Sequence, residues 1–239
     1  MVLKDIIREL LITFRIDLTK NLEYDRLTKV ILKNELKKNH NCLDVGCHKG
    51  EILDLMLQYA PQGKHYGFEP IPVLFSSLKE KYGQVATIYP YALSSESGST
   101  NFNYVKNAPA YSGIKKRQYD VKEPDIEEIK VEVKTLDELI PTDDQIHFIK
   151  IDVEGGEFGV LKGAKELLIR NKPTILFECG KGASDYYGTN PATLFEYMND
   201  EIGFNIYTLK NFIKQQSALS KEQFVELFDS NKEYYFVAK

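Results

Sequence analysis

The spacing of hydrophobic residues changes along this chain. It is helical near the start, and farther on short apolar runs typical of strands alternate with helical patterns. Near the start, apolar residues at positions 3, 6, 7, 10, 11 and 14 have the spacing of an amphipathic helix. From about residue 39 onward, short apolar runs alternate with helical patterns. The runs that predict strands cover residues 41–45, 65–69, 85–93, 146–153, 173–179, 204–209 and 234–238.

This alternation predicts an α/β fold with a mostly parallel sheet and helices on both faces, into which the last strand can insert antiparallel. The best central strand, 146–153, is followed by a predicted helix over 157–170. No repeat or low-complexity linker interrupts the chain, so residues 39–239 are expected to form one domain and residues 1–38 a helical extension before it. A chain of 239 residues with 43% hydrophobic content can bury the core of such a domain.

Two stretches have no readable period. Residues 106–124 are polar and lie between short predicted strands at 100–105 and 130–133, while residues 180–190 are rich in glycine and tyrosine. Connections in a compact domain are usually about 4 to 6 residues long, so loops of this size are typical of lids and substrate-binding segments. We expect both loops to hold the substrate.

The composition narrows the classes of function. With a formal net charge of −4 and a pI near 5.7, the chain lacks the basic character of a general nucleic-acid binder. The cysteines Cys42, Cys47 and Cys179 have no CxxC spacing, which favours reduced thiols in a cytoplasmic protein over disulfides or a zinc site. No apolar run reaches the roughly 18 residues of a transmembrane helix. The N-terminal helix is expected to pack on the domain or on a second subunit, as a homodimer contact, with a membrane surface as the alternative.

A glycine turn, Asp44 to Gly50, joins the first predicted strand to the first predicted helix of the domain. Gly46 permits a tight turn, and Gly50 lets the helix begin close to the sheet. Glu69 ends the second predicted strand, where an acid accepts hydrogen bonds from the ribose hydroxyls of a nucleoside. The spacing D-x-G-x-x-x-G differs from the G-x-G-x-x-G of dinucleotide folds, and its leading acid suits an amino group. Together these features indicate S-adenosylmethionine, an adenosine with an amino-acid tail.

Carboxylates are concentrated after the predicted strand at 146–153. Asp152, Glu154 and Glu157 lie where this strand turns through two glycines into a helix, and Glu178 ends the next strand. Acids beside buried strands are costly unless they bind something, and ligands of open α/β sheets bind at the carboxyl ends of the strands. We therefore expect Asp152, Glu154 and Glu178 at a catalytic crevice. For Glu157, stabilisation of the helix start is an equally good explanation.

Five ordered motifs carry a family resemblance. They are Leu-Asp-Val-Gly at 43–46, Phe-Glu-Pro at 68–70, Ala-Leu-Ser at 92–94, Lys-Thr-Leu-Asp-Glu-Leu at 134–139, and Ile-Lys-Ile-Asp-Val-Glu-Gly-x-Glu-x-x-Val-Leu-Lys-Gly-Ala at 149–164. In these the chain resembles the FkbM-type methyltransferases, S-adenosylmethionine-dependent O-methyltransferases that act largely on sugars and natural products. The resemblance runs from about residue 41 to residue 178, well over half of the chain.

The resemblance implies a Rossmann-like class I methyltransferase fold, a seven-stranded sheet of order 3-2-1-4-5-7-6. It also implies that Gly46, Glu69 and the region from Ala92 to Ser94 line the cofactor site. Cys47-His48 stands where the family often has Ala-Asn, so the methionine end of the cofactor meets different side chains here. With the glycine turn and the central acid, the candidate cofactor residues are Asp44, Gly46, Cys47, His48, Gly50, Glu69, Ala92, Leu93 and Asp152.

The predicted reaction is methyl transfer to a hydroxyl of a sugar, glycan or glycosylated natural product by in-line displacement. A sugar hydroxyl is a poor nucleophile, so we expect a general base whose pKa is raised by partial burial, first Asp152 and then Glu154. Clustered carboxylates could instead bind Mg²⁺ or Ca²⁺, which is the less favoured mechanism, and no metal site is predicted. Four loop tyrosines, Tyr104, Tyr111, Tyr186 and Tyr187, could stack on a sugar or on the adenine, and the basic cluster at 115–117 could hold an anionic group.

Two other classes of function stay open at this point. One is an NAD-dependent sugar oxidoreductase or epimerase on the same kind of sheet, against which the missing G-x-G-x-x-G counts. The other is a non-catalytic module that binds an adenosyl ligand, against which the retained acids count. Binding of S-adenosylhomocysteine and of NAD distinguishes the three.

Overall fold

The structure is a computed structural model and describes residues 19–119 and 121–239. The helix predicted over residues 1–16 lies outside these residues. The described helices are α1 (Lys20–Glu35), α2 (Glu51–Tyr59), α3 (Pro72–Tyr82), α4 (Leu136–Leu139), α5 (Glu157–Lys162), α6 (Lys165–Asn171), α7 (Pro191–Glu196), α8 (Leu209–Ile213) and α9 (Lys221–Ser230). The strands are β1 (Asn41–Val45), β2 (His65–Phe68), β3 (Thr87–Tyr89), β4 (Ala92–Leu93), β5 (Gly98–Val105), β6 (Ile126–Lys134), β7 (Ile146–Ile151), β8 (Thr174–Glu178), β9 (Ile206–Thr208) and β10 (Tyr235–Ala238).

Seven strands form one large sheet in the order β3-β2-β1-β7-β8-β10-β9. The first five of these run parallel, and β10 is antiparallel to both β8 and β9. Numbered within this sheet alone, the order reads 3-2-1-4-5-7-6, which is the order that the resemblance implies. The α/β fold with a mostly parallel sheet is confirmed.

Side chains of the central strands alternate between two cores, one on each face of the sheet. Phe148 of β7 packs in a cluster with α1, α2 and α3, whereas Ile149 and Ile151 pack in a cluster with α5, α6, α7 and α9. Strands buried on both faces need apolar residues at every position, which explains the continuous apolar runs in the sequence. The one charged residue of β7, Lys150, lies on the face of α1 and α2.

Helix α1 belongs to the first of these cores. Ile31 and Leu32 are fully buried there beside strand residues. The hydroxyl of Tyr24 donates to Glu233 at 2.6 Å, and its ring meets that of Tyr234 edge-on with centroids 4.7 Å apart. The helix before residue 38 therefore shares its core with the sheet and is tied to the segment that leads into the last strand.

The strand predicted at 85–93 is two strands. Residues 87–89 pair with β2 in the large sheet, and Ala92 and Leu93 pair with β6 in a second sheet. Pro90 separates them, because proline has no backbone N–H to donate to a ladder and therefore ends the pairing.

The second sheet has three strands in the order β4-β6-β5. Strand β6 is longer than the predicted 130–133, since it pairs antiparallel with the whole of β5 from Gly98 to Val105. Its first residues are largely polar and exposed, so hydrophobic periodicity did not reveal them. The sheet buries Phe102 against Ile71 and Ala92, beside the end of β2.

The helix predicted over 157–170 is broken into α5 and α6 at Gly163. A Cβ on Gly163 would lie 2.1 Å from the carbonyl oxygen of Ser94, so the chain approaches too closely for any side chain. Asp137 then begins α6, because its carboxylate accepts hydrogen bonds from the amides of Glu166 at 3.0 Å and Leu167 at 2.8 Å. A carboxylate at this position satisfies two of the free N–H groups of a helix start.

Two predicted helix starts are confirmed. Asn190 caps α7, with Pro191 in its first turn, and Ser220 and Gln223 form a reciprocal capping box at α9. The strand predicted at 204–209 is the shorter β9, which leads directly into α8.

The bond between Asp137 and α6 gives a stability prediction. Asp137→Ala is expected to lower the free energy of unfolding by about 1 to 2 kcal/mol, the usual cost of a lost helix cap. Urea unfolding followed by circular dichroism measures this change. Asp143→Ala, which removes an exposed acid of the next loop, serves as the control and is expected to change stability by less than about 0.5 kcal/mol. Equal effects of the two substitutions would contradict the assignment.

Candidate active site

The large sheet carries a cavity of about 640 Å³ at the carboxyl ends of its strands. It lies beside β1 and β7, where the strand order reverses. Ligands of open α/β sheets bind at this place, because the connections that follow the two strands diverge there. The volume falls within the range of about 300 to 1,000 Å³ that is usual for small-molecule sites.

Distant parts of the chain form the walls of this cavity. The turns after β1 and β7 line it, helix α1 contributes Tyr24 and Thr28, and the last strand contributes Tyr235. The second sheet and the loop after β5 add Phe102 and Tyr111. The first described helix, the last strand and the centre of the sheet therefore meet at one site.

The turn after β1 is compressed between β2 and β7. Gly46 has a φ of +77°, and a Cβ built on it would lie 1.9 Å from the carbonyl oxygen of Asp152. The amides of Gly46 and Cys47 donate to the carbonyl of Phe68 at 3.1 and 3.0 Å. Glycine is thus required because the end of β7 approaches the turn, and the approach predicted for a ligand is made by the protein's own backbone.

Glu69 lies at the end of β2 and is 4% exposed. It accepts hydrogen bonds from the amides of His48 and Ile71, each at 2.9 Å. Burial raises the pKa of Glu69 to about 7, although these two bonds oppose the rise. Glu69 lines the cavity together with Ile71, Ala92 and Leu93, so a single acid faces an otherwise apolar slot.

Lys150 is buried near the carboxyl end of β7. Its ammonium donates to the carbonyl of Gly46 at 2.8 Å and lies 3.6 Å from Oδ1 of Asp44 and 3.6 Å from Oδ2 of Asp152. Burial alone would lower the pKa of Lys150, but the two carboxylates raise it above its ordinary value, so the amine stays charged. Asp44 has no exposed surface, and burial raises its pKa while Lys150 opposes the rise.

Asp152 is held as an anion. Tyr235 donates its hydroxyl to Oδ2 of Asp152 at 2.5 Å. Burial alone would raise the pKa of Asp152, but the charge of Lys150 and hydrogen bonds from Tyr235 and Glu178 lower it below its ordinary value. The expectation of a raised pKa at Asp152 is therefore wrong, because it rested on burial without these neighbours. A carboxylate with a lowered pKa is a weak proton acceptor near neutral pH.

Glu154 differs from Asp152 in both backbone and charge. Its φ of +61° is a left-handed conformation that non-glycine residues rarely adopt and that is common at functional sites. Arg117, from the loop after β5, donates to its Oε2. Burial raises the pKa of Glu154 to about 8, the charge of Asp152 adds to the rise, and Arg117 opposes it. Glu154 lines the cavity and has the raised pKa expected of a base.

The two remaining acids have different roles. Glu157 is 1% exposed and accepts hydrogen bonds from the amides of Val153 at 2.9 Å and Gly155 at 3.1 Å, so it shapes the turn from below the cavity. Glu178 lines the cavity, and burial together with the charges of Asp152 and Glu154 raises its pKa well above the ordinary value.

Two loops meet over Glu154. The guanidinium of Arg117 lies 4.9 Å from the ring centre of Tyr111 and donates to the carbonyl of Gly182 at 3.4 Å. The hydroxyl of Tyr187 accepts a hydrogen bond from the amide of Lys115 at 3.1 Å. The loops at 106–119 and 180–190, neither of which has a readable period in the sequence, are therefore joined to each other and to the turn that carries Glu154.

The model of the methyltransferase FkbM domain matches residues 44–206, which is more than half of the chain. The chain belongs to the FkbM methyltransferase family. The cofactor is accordingly S-adenosylmethionine. No curated protein matches the sequence significantly.

Solved structures that resemble this FkbM methyltransferase are distant. The methyltransferase FkbM from Methylobacillus flagellatus is 16% identical with a TM-score of 0.48, covering 85% of this chain and 44% of that one. This chain thus spans less than half of that protein. An rRNA methylase from Streptococcus thermophilus is 9% identical with a TM-score of 0.44, covering 90% and 93% of the two chains. Fibrillarin from Aeropyrum pernix, with bound S-adenosyl-L-methionine, is 12% identical with a TM-score of 0.46, covering 89% and 73%.

The residues of this FkbM methyltransferase fit its cofactor. Glu69 offers a carboxylate beside the apolar slot of Ile71, Ala92 and Leu93, an environment that suits a nucleoside with two ribose hydroxyls. Asp152 offers an anion beside the turn, where the positively charged sulfonium and amino group of the cofactor gain from it. The carboxylates of Glu69 and Asp152 therefore match the two ends of an adenosyl amino acid.

Most of the predicted site residues come together, and two do not line the cavity. Those that line it are Gly46, Cys47, His48, Glu69, Ala92, Leu93, Asp152, Glu154 and Glu178. Asp44 lies beneath Lys150, and Gly50 packs against Tyr82, whose hydroxyl oxygen lies 2.5 Å from a Cβ built on that glycine. A direct contact of Asp44 or Gly50 with the cofactor remains a prediction.

Three residues that contribute to the site are not among the site residues predicted from the sequence. Lys150 had a signal, since a lysine in an apolar strand is unusual, but its partners become visible only when β1 and β7 are aligned. Tyr235 had none, because its position depends on how the last strand inserts. Arg117 was noted within a basic cluster, but its pairing with Glu154 depends on the fold of a loop without periodicity.

Three carboxylates in the described parts of the chain lie close enough to share a cation. One oxygen each of Asp152, Glu154 and Glu178 lie within 4.8 Å of one another. Such oxygen ligands suit Mg²⁺ or Ca²⁺. Lys150 and Arg117 already supply positive charge to two of the three, which favours the mechanism without a metal.

None of the helices within residues 19–119 and 121–239 combines the length and the apolar character that crossing a bilayer requires.

The raised carboxyl pKa values predict how stability depends on pH. Glu69 and Glu157, with pKa values of about 7, and Glu154, with about 8, bind protons in the folded state that the unfolded chain has released. Stability that these protons provide is fully present below the ordinary carboxyl pKa of 4.5, and it is lost progressively until the pH has passed about 7 for Glu69 and Glu157 and about 8 for Glu154. The histidines have lowered pKa values, so they change charge below about pH 7. Above that pH they do not oppose the loss of stability.

We therefore expect the melting temperature of the cofactor-free protein to fall between pH 7 and pH 8, where Glu154 is the main one of these carboxyls that still loses its proton in the folded state. The fall should be smaller in Glu154→Gln, which has no proton to lose at that position. Differential scanning calorimetry measures both. A melting temperature that rises over this interval would contradict the assignment.

Proposed function

We propose that this protein is an S-adenosylmethionine-dependent O-methyltransferase that acts on a hydroxyl of a sugar, glycan or glycosylated natural product. One observation carries the proposal. Glu154, a carboxylate with a raised pKa, lines the same cavity as Gly46 and Glu69 and is paired with Arg117 of the loop that bears Tyr111. A proton acceptor placed between a methyl donor and an acceptor pocket is what transfer to a hydroxyl requires.

The acceptor side of the cavity supports a sugar. Tyr111 and Tyr187 line it with aromatic faces that can cover the C–H groups of a sugar ring, and each also has a hydroxyl. Arg117 and Glu154 line the same side and can bond to ring hydroxyls. Nε of Arg117 is buried without a hydrogen-bond partner, so one donor is available for a substrate oxygen.

Held at Glu69 and the turn after β1, S-adenosylmethionine would supply a methyl group on a sulfonium for transfer to the acceptor oxygen, with S-adenosylhomocysteine as the leaving group. Glu154 accepts the proton that the hydroxyl loses, through the oxygen that Arg117 leaves free. Asp152 stays ionised beside Lys150 and stabilises positive charge at the methyl-transfer centre. Glu69 holds the ribose, and the joined loops at 106–119 and 180–190 exclude water from the reacting groups.

The assignment of the base to Glu154 reverses the order expected from the sequence. Asp152 was the first choice, but its neighbours Lys150 and Tyr235 stabilise its anionic form. Protonation is more favourable at Glu154 than at Asp152, because burial and the adjacent negative charge of Asp152 both favour the neutral form of Glu154. Glu178 is a further carboxylate at the same site and is assigned to the acceptor pocket.

The proposed function is tested by supplying S-adenosylmethionine and a panel of nucleotide sugars, glycans and glycosylated natural products, with mass detection of a product heavier by one methylene. Calorimetry with S-adenosylhomocysteine and with NAD separates the rivals. Binding of NAD alone would favour an oxidoreductase or epimerase. Binding of S-adenosylhomocysteine without methylation of any acceptor would favour a non-catalytic module.

The role of Glu154 predicts a large effect on turnover. With an acceptor from this panel, Glu154→Gln is expected to lower kcat by about 10² to 10⁴-fold, the usual contribution of a general base. In the wild type, kcat should rise with pH through about 8 as Glu154 ionises, and the variant should lose this rise. Glu96→Gln, which changes an exposed acid of the turn between β4 and β5, is the control. Wild-type turnover in Glu154→Gln would exclude it as the base.

The base mechanism also predicts independence of metal ions. Turnover is expected to be undiminished in excess EDTA, because Lys150 and Arg117 provide the positive charge that the clustered carboxylates need. The measurement compares rates before and after chelation, and then after Mg²⁺ or Ca²⁺ is added back. A loss that either ion restores would assign Asp152, Glu154 and Glu178 to a metal site instead.

A further inference from the structure

We propose that Lys150 is a positioning residue for methyl transfer, which holds the cofactor turn and Asp152 in fixed relation to each other. The inference rests on the proposed function, since it concerns the binding of the adenosyl cofactor at the same cavity. It assigns a role to the lysine of the motif at 149–164, which belongs to neither the cofactor set nor the catalytic set described above.

The contacts of Lys150 join two strands and the turn between them. From β7, its ammonium reaches across to the end of β1, where it donates to the carbonyl of Gly46 at 2.8 Å and approaches that of Val45 at 3.4 Å. It also lies 3.6 Å from the carboxylates of Asp44 and Asp152, one on each strand. An ammonium has three N–H donors, so this one group can bind the turn and both acids together.

A purely structural role would be neutralisation of Asp44, which is directly opposite Lys150 in the strand register. Two observations go beyond that role. The shortest contact of the ammonium is to the Gly46 carbonyl and not to Asp44. Lys150 also lines the cavity, whereas Asp44 does not. The ammonium thus faces the ligand side of the turn.

The geometry of the turn depends on this contact. Gly46 is compressed between Asp152, whose carbonyl oxygen would be 1.9 Å from a Cβ there, and Phe68, whose carbonyl accepts its amide hydrogen bond. Lys150 adds a cation 3.6 Å from the carboxylates of Asp44 and Asp152. Without it, the Gly46 carbonyl loses its donor, and a buried and a half-buried carboxylate repel each other across the same space.

The test separates the two roles by working in a background without the Asp44 charge. Asp44→Asn is combined with three substitutions at position 150, written D44N/K150R, D44N/K150Q and D44N/K150M. Arginine keeps both charge and donors, glutamine keeps donors only, and methionine keeps neither. Folding of each variant is checked by circular dichroism, and the dissociation constant of S-adenosylhomocysteine is measured by calorimetry.

We expect D44N/K150R to bind S-adenosylhomocysteine with nearly the affinity of D44N. D44N/K150M should bind it about tenfold more weakly than D44N, because it lacks one charge-assisted hydrogen bond. The affinity of D44N/K150Q should lie between those two. Hydrogen exchange gives a second readout without ligand. The amides of Gly46 and Cys47 should exchange faster in D44N/K150M than in D44N, while those of β8 and β10 should not change.

Equal affinities and equal exchange in D44N and all three double variants would overturn the role of Lys150 and leave the proposed function standing. If D44N/K150M does not fold, the affinities of D44N/K150Q and D44N/K150R for S-adenosylhomocysteine are compared instead. Equal affinities of these two variants would overturn the inference. Failure of the wild type to bind S-adenosylhomocysteine would remove the proposed function, and the role of Lys150 with it.

Discussion

The packing of the turn after β1 against the end of β7 is the constraint on which the rest of the site depends. At this point a backbone carbonyl occupies the space where any side chain on Gly46 would lie, and a buried lysine spans the two strand ends. Close packing of this kind leaves little freedom to either strand end. The turn after β1 and the acids that follow β7 are therefore parts of one closely packed junction.

Charge at this junction is distributed so that neighbouring acids differ. Asp152 is surrounded by an ammonium and a phenol and stays ionised, whereas Glu154, two residues later, is turned by its left-handed backbone toward Arg117 and the loops. A single segment thereby presents a permanent anion and a proton acceptor side by side. Pairs of carboxyl groups whose surroundings push their pKa values apart are typical of sites with divided acid and base roles.

How far the sequence predicts this molecule depends on the range of the interactions involved. The large sheet follows from apolar runs, because strands buried on two faces must be apolar throughout, and the glycine turn and Glu69 follow from local spacing. The split at Pro90 and the break at Gly163 were missed, although proline and glycine were both visible, because only tertiary contacts show that the chain uses them as ends. The lowered pKa of Asp152 could not be foreseen, since Tyr235 reaches it from the last strand.

The position of helix α1 has a consequence for the order in which the walls of the cavity form during folding. Tyr24 lines the cavity and is bonded to Glu233, so the wall it forms is fixed only when residues more than two hundred positions apart have met. Contacts of such long sequence separation form late in folding, because a large loop must close first. A chain cut before Glu233 would have the turn after β1 but would lack the partner that fixes Tyr24 in the cavity wall. Completion of the cavity is therefore a late event of folding, which follows the meeting of α1 with the segment before β10.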